Sequence, residues 1–301
     1  MQTWTRARAN ALLIVVALVW GSAFVAQSWG MSSIGPMLFT GLRFLLGALV
    51  VLPLAWLEMR ALHAKGQAFG RRGALQIAGL GLLLFIGAMM QQIGITSTSV
   101  TNAGFLTALY VPLVPVLALV FMKQRPHWII WPAALGSMAG TWLLAGAHSV
   151  DINVGDWWVI LSAFPWSIHV LLVGRTADKI NAPYTLACGQ FVLCGVLACI
   201  AGFGWEPYTW DGIQAAWGAI AYTGILSVGF GFTGQVIGQR YARASDAAIV
   251  LSSETVFAAV FGALFMGDRL SAYGFAGCGI ILLCILLVQL VPMWRPGKAM
   301  I

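Results

Sequence analysis

The chain has 301 residues, of which 60% are hydrophobic and only 8% are charged, whereas a soluble globular domain carries about 25% charged residues. Its 16 basic and 9 acidic side chains cannot cover the surface of a soluble globule of 32.2 kDa. Soluble enzymes, disordered chains, collagen-like chains and disulfide-framework proteins are therefore excluded, and the composition predicts an all-α polytopic membrane protein.

Stretches without charge predict how many times the chain crosses the membrane. A helix that spans the hydrocarbon needs about 20 mostly apolar residues. The longest uncharged stretch, from Arg72 to Lys123, holds two spans divided by a polar segment at 96–101. The sequence thus predicts ten transmembrane helices, at 9–28, 35–57, 73–94, 100–122, 128–147, 156–174, 184–203, 213–235, 246–266 and 271–293.

The basic residues predict the orientation of these spans. With ten spans, one side of the membrane holds 14 basic residues and the other holds only Arg269. The positive-inside rule then places both termini in the cytoplasm of a multi-pass protein of the cell inner membrane. The 14 residues are Arg6, Arg8, Arg60, Lys65, Arg71, Arg72, Lys123, Arg125, Arg175, Lys179, Arg240, Arg243, Arg295 and Lys298. Because they are spread over the loops, they do not indicate nucleic-acid binding.

Two patterns that often mark cofactor sites have other interpretations here. The five cysteines all fall inside predicted helices without the spacing of metal ligands, which favours buried free thiols. Residues 229–234 fit G-x-G-x-x-G, but they lie inside an apolar span, which favours helix packing or a flexible point beside a cavity. We expect no metal and no cofactor.

The sequence contains an internal repeat. An ungapped shift of 144 residues aligns Gln91 with Gln235, Gly94 with Gly238, Phe121-Met122 with Phe265-Met266, and Arg125 with Arg269. At slightly different shifts, Trp20 aligns with Trp166, and Arg43-Phe44 with Gln190-Phe191. The repeat predicts two five-helix units, at residues 8–147 and 155–293; chance similarity between apolar helices is the alternative.

An odd number of spans in each unit fixes their relative orientation. The second unit enters the membrane from the opposite side, so the prediction is two inverted five-helix repeats. Folds of this kind place the substrate near the bilayer midplane, between the repeats, and alternate access by moving one repeat against the other.

Four short segments carry a family resemblance: Trp-Gly-Ser-Ala-Phe at 20–24, Arg-Phe at 43–44, Ser-Glu-Thr-Val-Phe-Ala-Ala at 253–259, and Gly-Asp-Arg-Leu at 267–270. Their order and spacing resemble the EamA-type branch of the drug/metabolite transporter (DMT) superfamily. The chain departs from the family pattern at Thr255, where proline is usual, and at Asp268, where glutamate is usual. The Trp-rich spans and the length are further similar to the YddG-type exporters of aromatic amino acids.

The resemblance implies a ten-helix exporter of small metabolites. Its first, third, fourth, sixth, eighth and ninth helices would line a central cavity, and its fifth and tenth would pack at the periphery. The small residues Gly136 and Gly140 in the fifth predicted helix suit such close packing.

Three ionisable residues lie deep inside predicted spans, where such groups are costly and indicate function. Arg43 and Glu254 lie at similar depth from opposite faces, and we expect a role in substrate or proton handling. A fold-stabilising pair or a hydrogen-bonded anchor is the alternative. His169 is a third cavity candidate, with polar packing as its alternative.

Neutral polar and aromatic residues complete the predicted site. The polar candidates are Ser22, Gln91, Gln92, Gln235 and Ser253, for which hydrogen bonding between helices is an equal alternative. The aromatic candidates are Trp20, Trp166 and Tyr110, the repeat mate of Glu254. Tryptophans that face a shared cavity would stack on aromatic substrates and attract an ammonium group; core or lipid-facing packing is the alternative.

The residues therefore favour an exporter of small amphipathic metabolites, foremost aromatic and neutral amino acids, that works by alternating access. The alternative is an exporter of other metabolites or drugs with proton coupling through Glu254; an intramembrane enzyme is least favoured, because no nucleophile–base pair, carboxylate dyad or metal cluster is visible. A channel or receptor fits an inverted duplication less well than a transporter does. We expect a small-molecule substrate and the lipid bilayer as partners, no nucleic acid, and a monomer.

Overall fold

The computed structural model describes residues 5–67, 70–144, 153–267, 269 and 271–294, and these residues form helices joined by short turns. The helices are α1 (Arg6–Gly30), α2 (Pro36–Ala64), α3 (Arg71–Ile95), α4 (Val100–Thr107), α5 (Tyr110–Met122), α6 (Ile130–Leu144), α7 (Val154–Ile180), α8 (Pro183–Trp205), α9 (Trp210–Tyr222), a π-helix (Thr223–Phe232), α10 (Thr233–Gln239), α11 (Ala244–Leu251), α12 (Ser253–Phe265) and α13 (Ala272–Trp294).

These helices follow the ten predicted spans. In the described part of the chain, nine helical segments are long and apolar enough to cross a membrane, and α6, with 15 residues, corresponds to the remaining one. The second and sixth spans run to Ala64 and Ile180, well beyond the predicted ends at 57 and 174. Charged residues such as Glu58 and Arg175 end the hydrophobic span but not the helix, which continues into the aqueous region. The chain is a multi-pass, all-helical membrane protein.

Two of the spans are interrupted at repeat-equivalent places. The fourth span breaks at Ala108–Leu109 between α4 and α5, and the ninth breaks at Ser252 between α11 and α12. Both ends of α4 lie 144 residues before the corresponding ends of α11. The sequence repeat is therefore also a repeat of helix bounds.

The two breaks arise from different chemistry. In the fourth span, Pro112 has no N–H to donate to the carbonyl of Ala108, so the helix cannot continue regularly. In the ninth span, the hydroxyls of Ser252, Ser253 and Thr255 donate to carbonyls three residues earlier, at 2.7–2.8 Å. Such bonds compete with the helical backbone pattern, and they support a break where proline is absent.

The eighth span contains a long π-helical segment, which the sequence pattern does not predict. Ten residues, Thr223–Phe232, adopt this rare form between α9 and α10. π-Helical turns are uncommon and are frequently found at functional sites. The segment includes the first part of the G-x-G-x-x-G pattern, which therefore marks an irregular helix and not a phosphate-binding loop.

Among the described helices, α2 and α8 form the most extensive contact. Small residues of one helix meet the other along its length, in the pairs Leu38 with Gly202, Gly41 with Cys199, and Leu45 with Gly195. Numbers that rise along α2 and fall along α8 show that the two helices run antiparallel. They are the second helices of their respective repeats.

A carboxylate at each end holds this pair together. Glu206, at the end of α8, accepts hydrogen bonds from the backbone N–H groups of Met37 and Leu38 at the start of α2, each 2.8 Å. Glu58, near the end of α2, accepts from the N–H groups of Tyr184 (3.4 Å) and Thr185 (2.7 Å) at the start of α8. Each helix thus caps the positive N-terminal end of the other, and we call these the reciprocal caps.

Two further contacts connect equivalent helices at opposite faces. At the face where α1 begins, which we call the basic face, Arg6 of α1 forms a 2.7 Å ion pair with Asp246 of α11. At the other face, Thr98, just before α4, donates to Asp156 of α7. Because α7 and α4 are the repeat mates of α1 and α11, equivalent pairs of helices are connected at the two faces, although by different side chains.

The fifth and last spans pack together at small residues. A Cβ atom on Gly277 would lie 2.3 Å from the carbonyl oxygen of Gly140, and one on Gly136 would lie 2.6 Å from the Cys284 sulfur. These contacts confirm the predicted close-packing role of Gly136 and Gly140, and they bring α6 and α13 together in antiparallel orientation.

We expect the reciprocal caps to contribute to stability independently. Glu58→Ala and Glu206→Ala each leave two helix N–H groups without a carboxylate, and a hydrogen bond to a charged group contributes about 1.5–3 kcal/mol. Each variant should unfold several degrees lower in detergent, and the double variant should show the sum, because the sites lie at opposite faces. Asp178→Ala, at an exposed position of α7, is the control and should leave the Tm unchanged. Equal Tm values for all variants would contradict the capping role.

The α6–α13 contact allows a second test with a matched control. Gly277→Ala places a methyl group against the backbone of α6 and should destabilise the protein by about 1–3 kcal/mol. Gly279→Ala, two residues away on the same helix, meets no atom within 4 Å, and it should be neutral or stabilise the helix by about 0.5–1 kcal/mol. Thermal unfolding in detergent measures both, and a Gly277→Ala protein as stable as Gly279→Ala would show that the contact is not tight.

Candidate functional site

A cavity lies in the middle of the bundle, bordered by both repeats. The cavity volume is about 50 Å³, so the cavity is narrow in this conformation. The wall residues come from α1, α2, α3, α4, α5, α7, the π-helix, α10 and α12. They are Trp20, Phe24, Gln27, Arg43, Gln91, Thr107, Tyr110, Trp166, Val170, Ser227, Phe232, Gln235 and Glu254.

Aromatic rings form one wall of the cavity. The ring of Phe232 lies between the two predicted tryptophans, with its centroid 4.7 Å from that of Trp20 and 5.8 Å from that of Trp166. The planes of the Phe232 and Trp166 rings are nearly parallel, with an angle of 15° between them. The indole N–H of Trp20 donates to the carbonyl of Ser227 at 3.1 Å. The π-helix therefore contributes both the central ring and the acceptor that orients Trp20.

Neutral polar groups border the cavity at several points, and some have no hydrogen-bond partner among the described residues. Gln91 donates to Thr107 at 2.8 Å, within the first repeat. The amide oxygens of Gln27 and Gln235 are buried and unbonded, as is the hydroxyl of Tyr110. The indole N–H of Trp166 is also unbonded. Both donors and acceptors are thus available at the wall.

Arg43 and Glu254 are the two ionisable groups of opposite charge on the wall, and they do not pair. Arg43 is 3% exposed, and its guanidinium lies over the rings of Phe39 (5.8 Å) and Phe44 (5.1 Å). Glu254 is 5% exposed, and it makes neither a hydrogen bond nor an ion pair with a described residue. The alternative of a fold-stabilising Arg43–Glu254 pair is therefore wrong for this conformation.

Four predicted site residues lie outside the cavity wall. Ser22 bonds to the hydroxyl of Tyr222 at 2.6 Å in a separate lateral groove, because it points away from the Trp20 side of α1. Gln92, adjacent to Gln91, is directed to the sulfur of Met31 at 2.7 Å. These two residues connect helices and do not face the cavity.

His169 and Ser253 also have structural positions. The ring nitrogen Nε2 of His169 lies 2.9 Å from the side-chain oxygen of Gln190, in a fully buried pair behind the aromatic wall. Ser253 donates to the carbonyl of Val250 at the helix break. The structure thus gives His169 a packing contact with Gln190, while its second ring nitrogen, Nδ1, has no hydrogen-bond partner among the described residues.

Six wall residues are not among those predicted from the sequence: Phe24, Gln27, Thr107, Val170, Ser227 and Phe232. For two of them a signal existed, since Phe24 and Gln27 follow Trp20 at helical spacing and share its face. Ser227 and Phe232 are five residues apart, which places them on one face only in the π-helical form.

Comparisons with known proteins agree with this architecture. The sequence profile of the EamA-like transporter family matches residues 7–146 and again residues 153–290. An "Uncharacterized transporter" of Archaeoglobus fulgidus is 27% identical over 293 residues, which cover 95% of this chain and 87% of the relative. The "Uncharacterized transporter YwfM" of Bacillus subtilis is 23% identical over 299 residues, covering 94% of each chain.

A solved crystal structure shares the fold, with a TM-score of 0.76 at 20% sequence identity, covering 95% of this chain and 99% of the other. The two profile matches extend over most of the sequence, and each covers one repeat. The chain is a membrane transporter that belongs to the EamA-like transporter family of the DMT superfamily.

Proposed function

We propose that this transporter exports small amphipathic metabolites, foremost aromatic and neutral amino acids. The observation that carries the proposal is the aromatic wall of Trp20, Phe232 and Trp166 beside unbonded polar groups in a central cavity. Stacked rings favour flat aromatic side chains, and the buried donors and acceptors need polar partners. A substrate with an aromatic body and a small polar head supplies both.

The charges of the cavity support a substrate without large net charge. One arginine and one glutamate border it, so the wall has no excess of positive charge for phosphates. Sugars are disfavoured because much of the wall is apolar. Aromatic and neutral amino acids fit this balance, as the YddG-type resemblance implies.

The packing supports the inverted relation of residues 8–147 and 155–293, and with it alternating access. Repeat-equivalent helices α2 and α8 run antiparallel, and so do α6 and α13. The connection of Arg6 to Asp246 at one face has its equivalent, Thr98 to Asp156, at the other. A transporter that opens one of these faces at a time would expose the cavity alternately to each side.

The proposed orientation follows from the basic residues. The basic face, with both termini, is assigned to the cytoplasm of the inner membrane by the positive-inside rule. Export then means release at the face of Glu206 and Asp156. We propose a monomer whose partners are its substrate and the bilayer.

Transport of aromatic amino acids should depend on the tryptophans of the wall. Purified protein in liposomes should show saturable counterflow of labelled tryptophan and phenylalanine, with less of alanine. Trp166→Ala should lower tryptophan counterflow about 2- to 10-fold relative to alanine, since an aromatic contact contributes about 0.5–1.5 kcal/mol. Trp142→Ala, which removes an outward-facing ring of α6 that is 45% exposed, is the control. Absence of flux for every amino acid would remove this substrate class.

The inverted arrangement requires that the two halves enter the membrane from opposite sides. A phosphatase fused after residue 150 should be active outside the cytoplasm, and a fluorescent reporter at the C-terminus should be bright inside it. The Glu58 end of α2 should likewise be reached only from the cytoplasm by a thiol reagent, with Arg60→Cys as the labelled variant. A position near 150 that shares the compartment of the N-terminus would exclude inverted repeats.

A further inference from the structure

Two side chains that carry opposite charges when ionised, Arg43 and Glu254, border the cavity and do not pair with each other. The guanidinium of Arg43 makes no hydrogen bond to a described residue; it lies only over two phenylalanine rings, and its buried Nε is unbonded. The carboxylate of Glu254 has no hydrogen bond and no ion pair in the described part of the chain. Both side chains border the same narrow space.

This arrangement is costly for the empty protein. Ionisable groups inside a membrane protein are normally paired with each other or with backbone carbonyls, and a buried charge without a partner destabilises the fold. Here the partners are missing although the helices are otherwise closely packed. A ligand that brings one negative and one positive group into the cavity would satisfy both residues at once.

The two repeats differ at the position of Arg43, whose side chain has no hydrogen-bond partner among the described residues. The repeat mate of Arg43 is Gln190, which is paired with His169 at 2.9 Å in the second repeat. The mate of His169 is Ala23, whose side chain cannot form a hydrogen bond. The first repeat therefore presents a guanidinium without a hydrogen-bond partner at the position where the second repeat has a neutral side chain that is bonded to a neighbouring helix.

Neutral groups of the wall add to each charge. The unbonded indole N–H of Trp166 and hydroxyl of Tyr110 are donors suited to a carboxylate. The unbonded amide oxygens of Gln27 and Gln235 are acceptors suited to an ammonium group. The aromatic wall lies between these groups in the same cavity.

We propose that Arg43 and Glu254 recognise the α-carboxylate and the α-ammonium group, respectively, of a zwitterionic α-amino acid. The side chain of the substrate then lies against Trp166 and Phe232. This inference rests on the proposed function and narrows its substrate class: free amino acids bind, and aromatic compounds with a single charge bind more weakly. A planar guanidinium that pairs with a carboxylate through two hydrogen bonds gives geometric selectivity as well as charge.

The test uses tryptophan and two analogues that each lack one charge. Tryptamine has no carboxylate, and 3-indolepropionate has no ammonium group. Each compound is tested as an inhibitor of the counterflow of labelled tryptophan in liposomes. For the wild-type protein, the concentration of either analogue that gives half-inhibition should be about tenfold or more above that of unlabelled tryptophan, because a charged hydrogen bond is lost.

Two variants should change this preference in opposite ways. Arg43→Gln should weaken the binding of tryptophan and of 3-indolepropionate by about tenfold or more, and it should leave the binding of tryptamine unchanged. Glu254→Gln should weaken the binding of tryptophan and of tryptamine, and it should leave the binding of 3-indolepropionate unchanged. Because either variant can also stop the transport cycle, binding is measured in addition as ligand-induced stabilisation in thermal unfolding. Arg175→Gln and Asp178→Asn, both at exposed positions of α7, are the matched controls.

Each outcome decides between specific interpretations. The variants could bind all three compounds equally more weakly, while their elution in size-exclusion chromatography and their thermal unfolding match the wild type. This result would assign Arg43 and Glu254 a structural role and overturn the proposal. Retained preference for tryptophan over 3-indolepropionate in Glu254→Gln, with loss of stimulation by a pH gradient, would assign Glu254 to proton coupling instead. Equal competition by all three compounds in a wild type that transports tryptophan would contradict this inference alone. A wild type that neither transports nor is stabilised by any amino acid would contradict the proposed function.

Discussion

The structure depends on the rule that backbone N–H and C=O groups inside a bilayer must find partners within the protein. Regular helices satisfy this rule facing lipid, so an interruption is tolerated only where other helices or a cavity cover it. The described part of the chain has three interruptions within its spans, at Ala108–Leu109, at Ser252 and along Thr223–Phe232. Each is followed by, or contains, a residue of the cavity wall: Tyr110, Glu254 and Phe232 respectively. The irregular backbone and the candidate site therefore occupy the same region for one physical reason.

The α2–α8 pair provides the fixed geometry around that region. A carboxylate placed at a helix N-terminus is favoured by both hydrogen bonding and the helix dipole, and here one such contact closes each end of an antiparallel pair. Small residues between the two helices hold the backbones close. Since α2 carries Arg43 and α8 carries its mate Gln190, this pair positions both repeat-equivalent polar groups, while α1 and α7 bring the two tryptophans towards the cavity from either side.

Much of this architecture was predictable from the sequence. Charge-free length predicts the ten spans, and the 144-residue repeat predicts the equivalence that reappears in the bounds of α4 and α11. The position along the predicted spans was also sufficient to predict Arg43, Glu254 and both tryptophans as wall residues. Rotation about a helix axis was not predictable from depth: Ser22 and Gln92 lie at suitable depths but face other helices. The π-helix, which packs against α1 and α2, was not predictable either. Its i→i+5 hydrogen bonding leaves no recognisable pattern of residue types, so Phe232 lacked a signal.

Duplication explains the scaffold, and the differences between repeat mates explain the site. If both repeats kept the same side chains, the cavity would present the same groups twice. Instead, the first repeat has Arg43 at the position where the second has the neutral Gln190. The second repeat has Glu254 at the position where the first has Tyr110. One substitution adds a positive group and the other a negative group, on opposite repeats and in one cavity. In the proposed recognition, these two groups hold a substrate with one positive and one negative end in a single orientation, whereas a symmetric cavity could not distinguish its two ends.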